Sequence, residues 1–248
     1  MSTLLLRLSS PLQSWGAENK FERRLTHREP TKSGVVGLLA AALGIRREGG
    51  GSPYRLDDLA ALRFGVRVDQ PGQMLKDYHV VLDENNVPKY VTERYYLADA
   101  VFLVGLEGDG VLLRALDSAV RSPYFPLYLG RRSCPPTGKV SLGIQEKPLE
   151  DALREAEWQA GDWYQKKCQY KASLALVLDS DTPGMLRRRD LPVSLSPSHR
   201  KYAFRYIHDR AGAVDVCKQP PDQFGTGHDP WATLDSIGEE ADHVLIPD

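Results

Sequence analysis

The stretch QMLKDYHVVLDENNVPKYVTERYYLADAVFLVGLEGDG, residues 73–110, decides which fold this chain can adopt. Two runs rich in Val and Tyr flank the residues DENN at 83–86, and such a polar cluster is typical of a turn. Residues 73–97 are therefore predicted to form a long β-hairpin. Residues 100–106 are almost entirely apolar and predict a strand, which the Asp-Gly pair at the end of the stretch interrupts.

The segments on either side of this stretch show the apolar spacing of strands in some places and of helices in others. We expect Pro11 to end the first strand and Ser33 to cap the first helix. Apart from the hairpin, the order is strand, helix, strand, strand, helix, strand, which is the split β-α-β-β-α-β pattern of ferredoxin-like domains. The predicted strands lie at 4–8, 63–68, 100–106 and 140–145, and the predicted helices at 35–43 and 111–120.

The predicted fold class is α+β, and the chain divides into three parts. Residues 1–146 are expected to form a ferredoxin-like (RRM-like) N-terminal domain from which the hairpin 73–97 protrudes as a thumb. Residues 147–221 are expected to form a small, mainly β C-terminal domain. Residues 222–248, rich in Gly, Pro and Asp, are expected to form an acidic tail without regular structure.

The composition is that of an ordinary globular protein. Of 248 residues, 42% are hydrophobic and 26% are charged, which excludes wholesale disorder, a collagen-like helix and a disulfide miniprotein. The N-terminus lacks the basic region of a signal peptide, and no apolar run approaches the about 20 residues that span a bilayer. We therefore expect a cytoplasmic protein that does not enter a membrane.

Cysteine and histidine spacing predicts neither a disulfide framework nor a metal site. Cys134, Cys168 and Cys217 lie far apart without a CxxC pair, as suits a reducing compartment. The six histidines have no HExxH or similar spacing. We therefore expect no metal and no other cofactor.

Charge is distributed unevenly along the chain. The formal net charge is −1, but residues 222–248 hold seven acidic residues and no Lys or Arg, which leaves +6 for residues 1–221. Within this basic body, residues 20–32 carry five Lys or Arg against two Glu. A basic body favours an anionic partner, whereas the acidic tail would repel one.

The start of the helix at 35–43 is a candidate anion site. Lys32 and Ser33 lie there, and free backbone N–H groups with a nearby cation bind phosphate. The stretch does not contain the GxxxxGK[ST] pattern of a phosphate-binding loop. A capped helix that packs closely through its glycines would explain the same residues without a ligand.

The hairpin and a later loop carry the residue types that single-stranded RNA requires. Rings can stack on bases while cations meet phosphates, although a half-buried hairpin and a solvated arginine pair would explain the same residues. The hairpin candidates are Lys76, Tyr78, His79, Arg94 and Tyr95, and the loop YLGRRSCPP, residues 128–136, adds Arg131, Arg132 and Ser133.

Five segments, in this order and spacing, resemble the CasD family, the crRNA-binding subunits of type I-E CRISPR surveillance complexes (Cascade). The resemblance spans about residues 3–145, and YLGRRSCP and DYH are its most specific motifs. The segments are LLLRLSSPLQSWG (4–16), EPTKSGVVGLLAAALGI (29–45), LKDYHVVL (75–82), TERYYLADAVFLVGL (92–106) and YLGRRSCPPTG (128–138).

The resemblance implies a repeat-associated RNA-binding fold and a non-catalytic scaffold with no catalytic residue. Members of this family cap the 5′ handle of the crRNA and contact the backbone subunit and the large PAM-reading subunit, so target DNA is reached through the complex. On this basis Gln13, Ser14 and Trp15 are expected to meet RNA at the end of the first strand. Arg200, in the basic and aromatic stretch 199–208, joins the RNA-binding set.

A second function comes from a type I-C relative of this family, which is a metal-independent endoribonuclease. Such cleavage requires a base for the 2′-OH proton and a cation for the developing phosphorane charge. His79 with Lys76 or Tyr78 would have to supply them.

Overall fold

We describe the protein from a computed structural model, which defines residues 1–16, 22–48, 50–182 and 186–218. None of the helices in these ranges is long and apolar enough to cross a membrane. The predicted acidic tail, 222–248, lies outside the described residues. The strands are β1 (Ser2–Gln13), β2 (Trp15–Gly16), β3 (Arg23–Arg24), β4 (Thr26–His27), β5 (Arg63–Gln70), β6 (Gln73–Leu82), β7 (Pro88–Gly108), β8 (Ser141–Gln145), β9 (Lys171–Ser180), β10 (Leu186–Ser194) and β11 (Lys201–Cys217); the helices are α1 (Lys32–Ala42), α2 (Leu56–Ala60), α3 (Gly110–Arg121), α4 (Leu149–Glu155) and α5 (Asp162–Lys167).

A nine-stranded sheet organises these elements. Its strands follow the order β10-β11-β9-β5-β7-β1-β8, while β3 and β6 also pair with β7. Apart from the short parallel pair β3–β7, the pairs in this sheet are antiparallel. A large antiparallel sheet with a few helices confirms the predicted α+β class.

Helices cover both faces of the sheet. Neighbouring residues of a strand point to opposite faces, so the core cluster that each residue joins shows which helices lie on its face. Leu4, Leu6 and Leu8 of β1 belong to the same core cluster as side chains of α1 and α3, whereas Leu5 belongs to a second cluster with side chains of α4. Strand β1 is therefore apolar at consecutive positions, as expected for a strand that is buried on both faces.

Two paired glycines allow α4 to lie close to the sheet. Gly65 of β5 is the register partner of Gly105 of β7. A Cβ on Gly65 would lie 2.8 Å from Leu153 Cδ1, and one on Gly105 would lie 2.6 Å from Leu149 Cδ1. A larger residue at either position would have to displace these leucine side chains of α4.

The strands that follow residue 147 continue the same sheet. Strand β9 pairs with β5, and β11 pairs with β9. Residues Met1–Cys217 form one compact unit. The boundary predicted between residues 146 and 147 falls between β8 and α4, and strands from both sides of it share the sheet.

Strand β6 and the first half of β7 pair as an antiparallel hairpin, from Gln73 opposite Ala98 to Val81 opposite Tyr90. Residues 100–106, predicted as a separate strand, belong to the same strand β7. One strand therefore connects the hairpin to the interior of the sheet.

Pro11 does not end β1, which continues to Gln13. The register between β1 and β7 skips the position where Pro11 faces Asp99. Asp99 has a φ of 55°, a left-handed conformation that Asp tolerates better than most residues. Proline, which has no N–H, is therefore accommodated at a local break in the ladder.

Helix α1 also begins earlier than predicted. Its N-cap is Thr31 rather than Ser33, since Thr31 Oγ1 accepts a hydrogen bond from the backbone N–H of Gly34 at 3.2 Å. The first turn of α1 therefore contains Lys32, which bears directly on the predicted anion site.

Candidate nucleic-acid interface

The first predicted RNA-contact segment is buried. Gln13 Nε2 donates to the carbonyl of Ala100 at 2.7 Å, while its Oε1 accepts from Trp15 Nε1 at 3.1 Å. Ser14 Oγ donates to the carbonyl of Tyr95 at 3.3 Å. These three side chains hold the end of β1 against the base of the hairpin and present almost no surface to a ligand.

The predicted anion site at the start of α1 is occupied by carboxylates of the protein itself. Lys32 Nζ lies 2.9 Å from Asp179 Oδ2, and the backbone N–H of Lys32 donates to Asp190 Oδ2 at 2.9 Å. Arg205 binds both carboxylates, with Nε 2.6 Å from Asp190 Oδ1. Lys32 is only 5% exposed, and Ser33 beside it is half-buried. The capped-helix interpretation therefore accounts for Lys32.

At the base of the hairpin, β3 adds a basic dipeptide to the sheet. Arg23 and Arg24 are the register partners of Glu93 and Arg94. The Glu93 carboxylate lies 3.1 Å from Arg23 Nε and 2.5 Å from Lys76 Nζ. The hydrogen bond from Lys76, followed by that from Arg23, holds the pKa of Glu93 below its usual value. Glu93 therefore remains ionised and holds two cations beside each other.

The loop 128–136 docks against the same place. Arg131 Nη2 donates to the carbonyl of Arg24 at 2.9 Å, and the Arg131 guanidinium carbon lies 4.4 Å from the centroid of the Tyr96 ring. Gly130 has a φ of 88°, and a Cβ there would lie 1.5 Å from the carbonyl oxygen of Ser14. Only glycine fits this contact between the loop and the end of β1.

These contacts join the hairpin, β3 and the loop into one group, which we call the hairpin-base cluster. In this cluster the Tyr95 hydroxyl lies 3.5 Å from both Arg23 Nη2 and Glu93 Oε2. The cluster therefore places cations beside an aromatic ring on each face of the hairpin, Arg23 and Lys76 on the Tyr95 face and Arg131 on the Tyr96 face. Its members are Arg23, Arg24, Lys76, Glu93, Arg94, Tyr95, Tyr96 and Arg131.

Two guanidinium groups of the cluster have donors without a partner among the described residues. They are Arg94 Nε and Arg131 Nη1, both buried. A buried donor that is left unsatisfied costs about 1–3 kcal/mol. A ligand oxygen that reached these N–H groups would remove this cost.

The remaining predicted residues are not members of the cluster. Tyr78, 63% exposed, is the register partner of Glu93, and His79 follows it on β6. Arg132 and Ser133 are exposed beside Arg131. Arg200 is exposed just before β11, and β11 is three strands away from β7 along the sheet.

Alternation along β6 separates the residues predicted for RNA cleavage. Lys76 and Tyr78 point to one face of the hairpin, while Asp77 and His79 point to the other, as their alternating exposure shows. His79 Nε2 lies 2.5 Å from Asp77 Oδ2. His79 is therefore directed away from both groups predicted to assist it.

Sequence reasoning did not include Arg23, Arg24 or Tyr96 among the candidate site residues. The basic run 20–32 was a signal for the two arginines, but their pairing with β7 depends on residues about 70 positions away. Tyr96 is only 4% exposed and packs within the core, so its contact with Arg131 has no local sequence signal.

Within the part of the chain that the structure describes, no three His, Cys, Asp or Glu side chains are grouped as metal ligands. The cysteines in this part are free thiols. Burial is the largest influence on Cys134 and raises its pKa, which disfavours the reactive thiolate.

Comparison with known families assigns the chain to a class. Residues 3–208 match the family model described as CRISPR-associated protein (Cas_Cas5), so the antiparallel sheet and its basic hairpin are those of a CRISPR-associated protein. Within that class, the chain belongs to the Cas5 family.

Individual relatives agree with this assignment. The chain is 37% identical over 234 residues to the CRISPR system Cascade subunit CasD of Escherichia coli (strain K12), a match that covers 87% of this chain and 98% of the relative. A solved structure described as "Crystal structure of Cas protein" is 39% identical, with a TM-score of 0.66, and the match covers 88% of this chain and 100% of the other. A chain of a "CRISPR RNA-guided surveillance complex" is 29% identical, with a TM-score of 0.68 and coverage of 96% and 99%. The resemblance to the CasD family that the sequence motifs indicated is confirmed.

Proposed function

We propose that this protein is a non-catalytic crRNA-binding subunit of a type I-E Cascade complex and that it caps the 5′ handle of the crRNA. The hairpin-base cluster carries the proposal. Its cations are suited to phosphate groups and its Tyr95 ring to a base, which is how proteins hold single-stranded RNA. The relative CasD, named as a Cascade subunit, supports the assembly.

In this proposal the four strands β5-β7-β1-β8 with α1 and α3 are a ferredoxin-like (RRM-like) unit. The support is their order along the chain, which is strand, helix, strand, strand, helix, strand. The hairpin formed by β6 and the first half of β7 acts as a thumb that inserts into the handle and splays its bases.

The outer part of the hairpin is proposed to contact the backbone subunit or the large PAM-reading subunit. Several of its apolar side chains are about half exposed, which is more than an isolated arm of a sheet needs. They include Val80, Leu82 and Val87. Target DNA would then be reached through the assembled complex.

The endoribonuclease alternative rests on the contact between His79 and Asp77, which resembles a base with an orienting carboxylate. Its weakness is that Lys76 and Tyr78 lie on the opposite face of β6. Incubation of the purified protein with its repeat RNA should leave the RNA intact on a denaturing gel. Specific cleavage that His79→Ala abolishes would establish the alternative.

Co-expression of the full chain with the other Cascade subunits tests the main proposal. RNA that co-purifies with the tagged protein should share one 5′ end derived from the CRISPR repeat. The double variant Arg23→Ala/Lys76→Ala, in the hairpin-base cluster, should reduce the recovered RNA. Arg114→Ala/Arg121→Ala on α3 is the matched control, and equal RNA recovery from both variants would refute the proposal.

A further inference from the structure

Strands β10 and β11 carry an exposed aromatic and basic face that the hairpin-base cluster does not include. Phe204 of β11 is 53% exposed. The guanidinium carbons of Arg187 and Arg189 lie 4.5 Å and 6.0 Å from the centroid of its ring. The exposed ring offers a stacking face, and the two guanidinium groups held beside it supply positive charge.

The charges of these two strands are separated between the faces of the sheet. On the inner face, Asp190 is 3% exposed and is bound by Arg205, while Arg188 pairs with Glu29. Arg187 and Arg189, on the outer face, form no ion pair with any described residue. The Asp190 carboxylate of β10 is therefore used internally, whereas the positive charges of Arg187 and Arg189 remain on the outer face.

Further aromatic residues continue this face along β11. Tyr202 and Tyr206 lie two residues before and after Phe204, so the three rings point to the same side of the strand. Arg187 is the register partner of Tyr206. The outer face therefore presents a row of rings with cations along one side.

This face is separate from the hairpin-base cluster. Arg205, which points opposite to Phe204, lies with its guanidinium carbon 5.1 Å from the ring of Phe64 on the α1 side of the sheet. Tyr96 of the cluster packs into the core on that same α1 side, whereas Lys76 and Tyr95 point to the side that Phe204 faces. The separation therefore rests on strand order, since β11 is three strands away from β7 along the sheet.

We propose that the face formed by Arg187, Arg189 and Phe204 is a second binding surface for single-stranded nucleic acid. A base stacks on the Phe204 ring, and the two guanidinium groups, already held beside that ring, meet the adjoining phosphates. The strand is either a segment of guide RNA or an unpaired strand of DNA, since both present bases and phosphates. This inference does not depend on binding of the crRNA handle.

Fluorescence anisotropy with labelled 20-nucleotide oligo(rU) and oligo(dT), which lack any handle sequence, tests the proposal on the full chain. Phe204→Ala should weaken binding by about fivefold or more, the effect of losing one stacked base, and Phe204→Trp should restore it. Arg187→Ala/Arg189→Ala should reduce the salt slope of log K by about one unit or more. Tighter binding of oligo(rU) would identify guide RNA as the ligand, and tighter binding of oligo(dT) would identify DNA.

A matched control is available on α5, where Trp163 is 52% exposed and the centroid of its ring lies 5.8 Å from Lys167 Nζ. Trp163→Ala/Lys167→Ala should leave oligonucleotide affinity unchanged. The effect of Phe204→Ala should also persist in an Arg131→Ala/Arg132→Ala background, which separates this surface from the handle site.

Unchanged oligonucleotide affinity in a folded Phe204→Ala protein would overturn the proposal. A loss of other Cascade subunits from the Phe204→Ala complex, with oligonucleotide affinity intact, would also overturn it and identify the face as a protein contact. Circular dichroism and thermal unfolding verify that each variant is folded.

Discussion

Single charged residues determine which parts of the basic body remain open to a ligand. Lys32 and Arg205 share the carboxylates of Asp179 and Asp190 in a buried network. Removing one member of such a network leaves the other charges buried without a counter-charge. This lowers the stability of the fold far more than the loss of a surface ion pair does. The network therefore fastens the start of α1 to β9 and β10, and Lys32 serves the fold.

Asp190→Ala should destabilise the protein by about 3–5 kcal/mol, because it leaves Arg205 and the N–H of Lys32 buried with an incomplete set of partners. Asp57→Ala removes an exposed carboxylate 3.6 Å from Arg55 Nη2 and should cost less than about 1 kcal/mol. Urea unfolding measures both. Similar midpoints for the two variants would show that the network contributes little to stability.

Arg131 and Arg132 should contribute directly to RNA affinity. Replacing both with Ala should reduce binding of handle RNA by several kcal/mol, since each charge-assisted hydrogen bond is worth about 1.5–3 kcal/mol. The salt slope of binding should fall by about one or two units. Filter binding across a salt series provides both values.

The control for this pair is another adjacent exposed pair, Arg46 and Arg47, whose replacement should leave the affinity nearly unchanged. Because Arg131 also contacts Tyr96, Arg132→Ala alone should show the charge effect without the packing effect. If the double variant is folded and binds RNA normally, the assignment of this loop is wrong.

At the scale of elements, the interface depends on how the loop 128–136 docks against the end of β1. The backbone N–H of Ser14 donates to the carbonyl of Leu129 at 3.1 Å, and Gly130 lies directly against Ser14. This contact brings Arg131 to Tyr96 and to the hairpin. The position of the loop therefore determines where Arg131 lies relative to Tyr96 and β3.

Gly130→Ala should displace this loop, because the added Cβ would overlap the Ser14 carbonyl and the φ of 88° is itself unfavourable for Ala. We expect a loss of stability of more than about 1 kcal/mol together with weaker RNA binding. Gly16→Ala, where a Cβ meets nothing within 4 Å, is the matched control. Thermal unfolding and anisotropy should both distinguish the two variants.

Local sequence patterns predicted most of the elements but not their long-range contacts. The apolar periods located β5, β8, α3 and the hairpin because these signals lie within one segment. The capping residue was predicted as Ser33 rather than Thr31, since both are good N-caps and the choice depends on packing. The burial of Lys32 could not be predicted, because its partners lie 147 and 158 residues away.

Local residue patterns also indicated part of the candidate site, but they did not show which of its residues are buried. The hairpin residues and the arginine pair carry recognisable residue types. The structure places Lys76 and Tyr95 on one face of the hairpin and Arg94 on the other, where Arg131 lies over Tyr96. Gln13 and Trp15 were selected by resemblance, and their burial follows from hydrogen bonds to each other and to β7. The local sequence does not show whether such a Gln and Trp are buried in the fold or exposed to a ligand.

At the scale of the whole molecule, the acidic segment after Pro221 should be dispensable for RNA binding. It lies outside the described residues, and the prediction rests on charge: seven carboxylates without a cation repel a phosphate backbone. Truncation after Pro221 should leave handle-RNA affinity equal or slightly higher, most visibly at low salt, where the Debye length is long.

A tail in which the seven Asp and Glu residues become Asn and Gln should behave like the truncation, because charge rather than length is the cause. Titration of RNA at two salt concentrations checks both proteins. A tenfold loss of affinity in a folded truncated protein would show that the tail takes part in binding.

Because β7 is one continuous strand, it also holds the hairpin in a fixed position relative to the sheet. A hairpin on a flexible stem could swing toward its target, but this one extends a strand whose other half is fixed between β1 and β5. Residues 88–97 extend roughly 30 Å at about 3.3 Å per residue. In the proposed function, this arm would set a fixed spacing between the RNA contacts at its tip and those at its base, and the bound RNA would have to bend to match that spacing.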